Sequence, residues 1–144
     1  MKKTLLLSGF PGTGKSYFFQ NEKELSVLDS DSSTFDKSDF PRNYIEHIKQ
    51  NIGLVDVILI SSHKVVRDAL VDNNLEFTLV FPGPCCSKDE YIKRFTERGD
   101  SEEFIALLDT NWNIWINELK EQDGCKKIRI RSTSYISTVM NSLN

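Results

Sequence analysis

Short apolar runs and helix-spaced apolar positions take turns along this chain. Leu5-Leu6-Leu7, Leu25 with Val27-Leu28, Val57-Ile58-Leu59-Ile60, Leu79-Val80-Phe81 and Ile128 with Ile130 mark five strands, at about residues 3–8, 25–29, 55–60, 76–81 and 127–131. The third run is nearly continuous and rich in Val and Ile, as in a strand covered on both faces. A short helix is expected from Lys15 to about Glu22. Tyr44, Ile45 and Ile48 give a helical face over residues 41–52, and Pro41 suits its first position because its missing N–H would be unpaired there. Val65, Val66, Ala69 and Leu70 are the inward face of a third helix, capped by Ser62. Ser87-Lys88-Asp89-Glu90 reads as a capping box for a helix from Lys88 to about Arg98, closed by Gly99. Ser101 with Glu102-Glu103 opens a long helix. Its Phe104, Leu107, Leu108, Trp112, Trp115 and Leu119 share one stripe, and Gly124 stops it. Residues 135–143 make the last helix. Strands separated by helices imply βαβ units, right-handed crossovers and one parallel sheet with helices on both faces, an α/β architecture.

The chain has 144 residues, which suits a single domain, and shows no repeat, linker or low-complexity stretch. Apolar residues at 39% and charged ones at 27% describe an ordinary packed globule. Eighteen basic against 21 acidic residues leave a net charge of −3. That excludes a generally basic, nucleic-acid-coating surface, though not a local basic groove. Three cysteines do not pair evenly, Cys85 and Cys86 are adjacent, and no spacing suggests zinc, so a reducing cytoplasm is the expected setting. Met1-Lys2-Lys3 before Thr4-Leu5-Leu6-Leu7 imitates a signal peptide. The apolar run breaks at once in Ser8-Gly9 and Pro11-Gly12, so a buried first strand is the better reading. No stretch approaches the ~18 apolar residues of a membrane span.

The first turn changes the picture most. Gly9-Phe10-Pro11-Gly12-Thr13-Gly14-Lys15-Ser16 fits G-x-x-x-x-G-K-[ST] in full. Its fixed positions would coincide by chance about 0.005 times in a chain of this length. Glycines let successive N–H groups turn toward phosphate oxygens, and the helix starting at Lys15 adds its positive end. Gly9, Pro11, Gly12, Thr13, Gly14, Lys15 and Ser16 are therefore the expected phosphate-binding residues. Lys15 would reach the β- and γ-phosphates of ATP, and Ser16 would hold Mg²⁺.

What surrounds the motif narrows the class. A GTPase should carry N/T-K-x-D and D-x-x-G, and neither is present. A motor ATPase should end a buried strand in an acid. Strand three ends in Ser61-Ser62-His63 instead, and Asp56 stands at its other end, where solvation is its expected fate. The acids come after strand two, in Asp29-Ser30-Asp31-Ser32-Ser33. If the strand stays extended, alternation sends Asp29 and Asp31 to the same side, at the carboxyl edge where open α/β sheets bind ligands. Asp29 could organise magnesium-bound water while Asp31 orients or deprotonates an acceptor hydroxyl. The plainer reading is a polar loop of local Asp and Ser turns.

With these residues in hand, the chain resembles the P-loop kinases of small metabolites, nucleotides and polynucleotide 5′ ends. Leu79-Val80-Phe81-Pro82 and Tyr91-Ile92-Lys93-Arg94-Phe95-Thr96-Glu97-Arg98-Gly99 are similar to that group's fourth strand and arginine-bearing lid helix. Asp31-Ser32-Ser33-x-Phe35 and Ser61-Ser62-His63 look most like small phage- and prophage-encoded nucleotide-kinase-like proteins. The resemblance spans nearly the whole chain. It implies a three-layer P-loop NTPase fold with a five-stranded sheet in order 2-3-1-4-5. It also implies a short lid at about 88–100, in which Arg94 and Arg98 close over ATP and neutralise charge on the transferring phosphoryl group. Without nucleotide the two facing arginines repel, and the segment is expected to be loosely held. The activity it implies is Mg²⁺-dependent transfer of the γ-phosphoryl group to a nucleotide or nucleoside-like acceptor. A 5′-hydroxyl polynucleotide kinase and a nucleotide-binding module without transfer are the alternatives.

Other residues carry weaker signals. Arg42 and Arg67 could bind an acceptor phosphate, though surface arginines are the plainer reading. His63 could touch the acceptor, though a hydrogen-bonded structural role is the plainer reading, and Phe35 could stack on a base or equally sit in the core. Trp112 and Trp115 are expected in the core. The basic run from Lys126 to Arg131 looks like a charged strand guarding a sheet edge.

Overall fold

The computed structural model describes residues 3–83, 87–131 and 134–143, the last three by backbone alone. In chain order the elements are β1 (Leu5–Gly9), α1 (Lys15–Asn21), β2 (Val27–Asp29), a 3₁₀ turn (Ser32–Thr34), α2 (Arg42–Asn51), β3 (Val57–Ser61), α3 (Lys64–Asp72), β4 (Thr78–Pro82), α4 (Ser87–Arg98), α5 (Glu102–Glu121), β5 (Lys126–Ile130) and α6 (Ile136–Leu143). The five strands form one parallel sheet in the order β2-β3-β1-β4-β5.

Alternation along the strands makes two cores. Leu6, Ile58, Ile60, Leu79 and Phe81 face the apolar sides of α2, α3, α4 and α5. Leu7, Val57, Leu59, Val80 and Ile130 face Phe18 of α1 and Ile136 and Met140 of α6. The chain thus leaves β1 over one face and the adjacent β3 over the other. A crevice opens at the carboxyl ends of strands wherever neighbouring connections diverge in this way.

Several expectations shift. Each strand runs one or two residues later than expected at one end or both, except β5, which starts and ends one residue earlier. Pro41 is the N-cap of α2, one place before the helix, after a cis Phe40–Pro41 bond. His63, not Ser62, is the N-cap of α3, without a side-chain cap. Val65 is 48% exposed, because Val66, Arg67 and Leu70 form the buried face of α3. Leu107 is 52% exposed, because the buried stripe of α5 runs through Leu108, Trp112, Ile116 and Leu119. Trp115 is half-buried against that core. Ser87 is the first residue of α4 and buried. Pro84, Cys85 and Cys86 lie outside the described residues. Asp56 is not merely solvated: its Oδ2 accepts from the Ser26 N–H at 2.9 Å and the Ser26 hydroxyl at 3.0 Å, pinning the start of β2.

Other expectations hold. Gly99 ends α4 with φ +85°, and Gly99 N–H to Thr96 and Asp100 N–H to Phe95 close a Schellman motif. The Ser101 hydroxyl accepts from Phe104 N–H at 3.1 Å and caps α5. β5 is an edge strand, and Lys126 and Lys127 on it are exposed. Among the described residues no helix is long and apolar enough to cross a membrane.

Candidate functional site at the carboxyl edge of the sheet

The loop of residues 9–16 joins β1 to α1 and is fixed on both flanks. Phe10 N–H donates to Val80 of β4 at 2.9 Å, and Ile136 N–H of α6 donates to the Thr13 carbonyl at 2.8 Å. The buried Thr13 hydroxyl closes the turn on the Phe10 carbonyl at 2.6 Å. Gly12 and Gly14 have φ of +86° and +93°, a region that penalises any side chain. A Cβ on Gly12 would also stand 3.0 Å from the rings of Phe95 and Tyr91, and one on Gly14 3.0 Å from Tyr135. Gly9 leaves room for Lys15 to fold back, and the Lys15 ammonium donates to the Gly9 carbonyl at 2.7 Å.

Beyond this loop lies a cavity of about 550 Å³. Its walls bring together Lys15, Ser16, Asp29, Asp31, Arg94 and Arg98, drawn from the loop, β2 and its following turn, and α4. Pro11, Gly12 and Gly14 also line it, whereas Thr13 is buried beneath as a support.

Burial sets the charge balance of the cavity. It pulls the Lys15 amine down to about 8, against the opposing pull of Asp29 and Asp31. Desolvation raises Asp29 above the usual carboxylate range, partly offset by Lys15. Asp31 goes the other way, chiefly because its Oδ1 accepts the Ser33 N–H at 2.9 Å. That bond caps the 3₁₀ turn, so the plain reading of Asp31 as a turn-former holds alongside its place in the cavity. Ser30, between the two acids, also lines the cavity. Its hydroxyl meets His47 Nε2 at 3.0 Å, and its carbonyl accepts from the buried Tyr44 hydroxyl at 2.6 Å. Tyr44 Oη also accepts from Ser61 N–H at 3.3 Å, so one α2 side chain sets the spacing of the β2 and β3 ends.

The two arginines of α4 differ. Arg94 is only 11% exposed. It donates to the Gly12 carbonyl at 2.8 Å, and its guanidinium lies 4.5 Å from the Tyr91 ring centroid and 4.1 Å from that of Tyr135. It holds the loop. Arg98 is 58% exposed, bonded to Asp100 at 2.6 Å and resting 4.8 Å over Phe95. The helix beneath them is packed: Tyr91 and Phe95 have no exposed surface and belong to the main core.

No protein-family model and no curated protein matches this chain. The geometry alone therefore carries the site. Arg42 stands apart from the cavity, exposed and paired with Asp39 at 2.7 Å. Arg67, expected at the surface, is 3% exposed. It donates to the Ser62 carbonyl at 2.8 Å and to Gln122 at 2.7 Å, which ties α3 to the end of α5. Phe35 packs on Tyr44 and His47. Ser61 and Glu97, from the strand-three and α4 motifs, also line the cavity, and so do Tyr17 and Tyr135, which no motif marks. Tyr135 arrives from the far end of the chain.

Proposed function

We propose that the chain is a P-loop phosphotransferase of the small-molecule kinase type, moving the γ-phosphoryl group of ATP, with Mg²⁺, to a hydroxyl of a nucleoside-like acceptor. One observation supports this above all. Six residues chosen for phosphate, metal, acceptor and charge-neutralising roles, separated by up to 83 positions, line a single cavity at the carboxyl edge of a parallel sheet.

The donor set suits magnesium. Among the described residues no three His, Cys, Asp or Glu side chains form a metal cage. Mg²⁺ characteristically takes one or two protein oxygens and fills its shell with phosphates and waters, and Ser16 and Asp29 supply such oxygens. Bound there, the ion would screen the phosphate charge. Lys15 and the loop amides hold the phosphates. Arg94 keeps the loop in shape through the Gly12 carbonyl, and Arg98, the more exposed of the two, neutralises charge at the cavity mouth. Asp31, held ionised by the Ser33 amide, orients the acceptor hydroxyl.

A second reading, a nucleotide-binding module without transfer, draws on the same bond, since a carboxylate lowered in pKa is a weak base. Labelled γ-phosphoryl transfer separates the two. With ATP, Mg²⁺ and a panel of nucleosides, nucleotides and 5′-hydroxyl oligonucleotides, label is expected on a small nucleoside-like acceptor. Asp31→Asn should cut turnover about 10²-fold or more while ATP affinity stays near the parent's. ATP binding with no acceptor labelled would favour the binding module.

Lys15 also predicts a proton signature. Phosphate beside the amine restores the charge that burial disfavours, so triphosphate binding above pH 8 should take up a proton. Calorimetry in buffers of different ionisation enthalpy should show uptake growing from pH 7 to 9 and absent in Lys15→Met. Equal uptake in the variant would assign the proton elsewhere.

A further inference from the structure

A second cavity, of about 300 Å³, shares Pro11 with the first. Its wall on the β3 side starts at Ser62, next to Ser61, which lines the phosphate cavity. The two spaces thus meet at Pro11 and the end of β3. Phe10 of the glycine loop and Phe104 and Trp115 of α5 give the second cavity its rings, and Leu119 adds an aliphatic patch. Glu118 and His63 supply polar groups.

Charge decides what such a space would take. The two cations on its walls are already engaged. Arg67 is held by the Ser62 carbonyl and Gln122, with Glu118 at 3.8 Å, and Lys64 is paired with Asp68 at 2.7 Å. Burial and the neighbouring charges of Lys15, Lys37 and Arg67 push His63 below the ordinary histidine range, toward the neutral ring. A phosphate placed here would meet the Glu118 carboxylate and would have to break an existing pair. A flat uncharged ring with hydrogen-bonding edges meets stacking surfaces, one neutral imidazole and one carboxylate acceptor. The volume is also at the small end of the usual ligand range of about 300–1,000 Å³.

We propose that this cavity holds the ring of an uncharged nucleoside acceptor, whose hydroxyl arm passes Pro11 into the phosphate cavity. The assignment rests on reading that cavity as a phosphoryl-transfer site, and it deepens the reading in one respect: the acceptor is recognised by its base, and arrives without a phosphate. Polynucleotide ends fit less well, because every further nucleotide brings a phosphate to a rim whose cations are already paired.

The test is an amide and indole NMR titration of the full chain. Nucleosides should shift the Trp115 indole and the His63 and Phe104 amides saturably. The matching 5′-monophosphate should bind more weakly, and ribose 5-phosphate should leave these signals in place. Trp115→Leu should weaken nucleoside binding about tenfold, the loss of one base–aromatic stack, with a non-hydrolysable ATP analogue still binding the Gly12 and Lys15 amides within about twofold. Phe104→Leu, at a half-buried position, serves the same purpose if the tryptophan variant does not fold. Tighter binding of the monophosphate, or of a 5′-hydroxyl oligonucleotide, would overturn the proposal. So would nucleoside shifts confined to Asp29 and Asp31, or none at all. If the analogue binds the loop and no nucleoside reaches Trp115, this inference fails and the phosphotransferase reading stands. If the analogue fails to bind the loop, that reading fails first.

Discussion

Lys15→Ala should reduce phosphoryl transfer by about 10²–10³-fold or more, the usual loss when one preorganised charge leaves a dry site. The amine is buried and donates to the Gly9 carbonyl at 2.7 Å. The same burial makes the variant informative about folding. At pH 7 the amine is protonated in both folded and unfolded chains, so burying it costs the folded state. The folded chain sheds the proton near pH 8 and the unfolded one near 10.5, so the cost fades as pH rises through that window. Lys15→Ala should therefore melt no lower than the parent at pH 7, and any advantage should shrink toward pH 10. Parent-level turnover would remove Lys15 from the chemistry. A large fall in melting temperature would show that it supports the fold instead.

Phe95→Ala should cost about 3–5 kcal/mol, the usual price of deleting a fully buried aromatic ring. The ring packs edge-on against Phe104 with centroids 5.1 Å apart, lies beside Tyr91, and carries the Arg98 guanidinium. It also stands against Gly12, so the loop of residues 9–16 loses a wall with it. In a chain this long the fall in melting temperature should be roughly 10–17 °C. A loosely held lid would give well under 1 kcal/mol. The measurement thus decides whether α4 is scaffold, with any closure left to Arg98 and its turn, or a segment that orders only around nucleotide.

Local patterns made much of this legible. The Val-Ile run of β3 announces a strand with helices on both sides because its side chains have no polar face to offer. The glycine-rich turn announces itself because few residues tolerate φ near +90°. Asp29 and Asp31 could be placed on one side because a strand alternates. Harder to read was anything settled by partners distant in the chain. Arg67 looks like a surface residue until Gln122, 55 positions later, and the Ser62 carbonyl neutralise the cost of burying it. With Arg67 inside, the buried face of α3 turns and Val65 moves outward. Arg94 and Arg98 look equivalent at a spacing of four. Tyr135 and Gly12, from opposite ends of the chain, help make Arg94 a clamp, while Arg98 stays exposed.

The most direct measurement is a crystal structure with Mg²⁺ and a non-hydrolysable ATP analogue. The expected result is a triphosphate cradled by the amides of Gly12 to Ser16, with Lys15 turned from the Gly9 carbonyl onto the β- and γ-phosphates, the metal between Ser16 and Asp29, and Arg98 drawn away from Asp100. A nucleotide seated elsewhere, such as the groove at the opposite edge of the sheet beside Thr4 and Phe77, with residues 9–16 unchanged, would contradict the account.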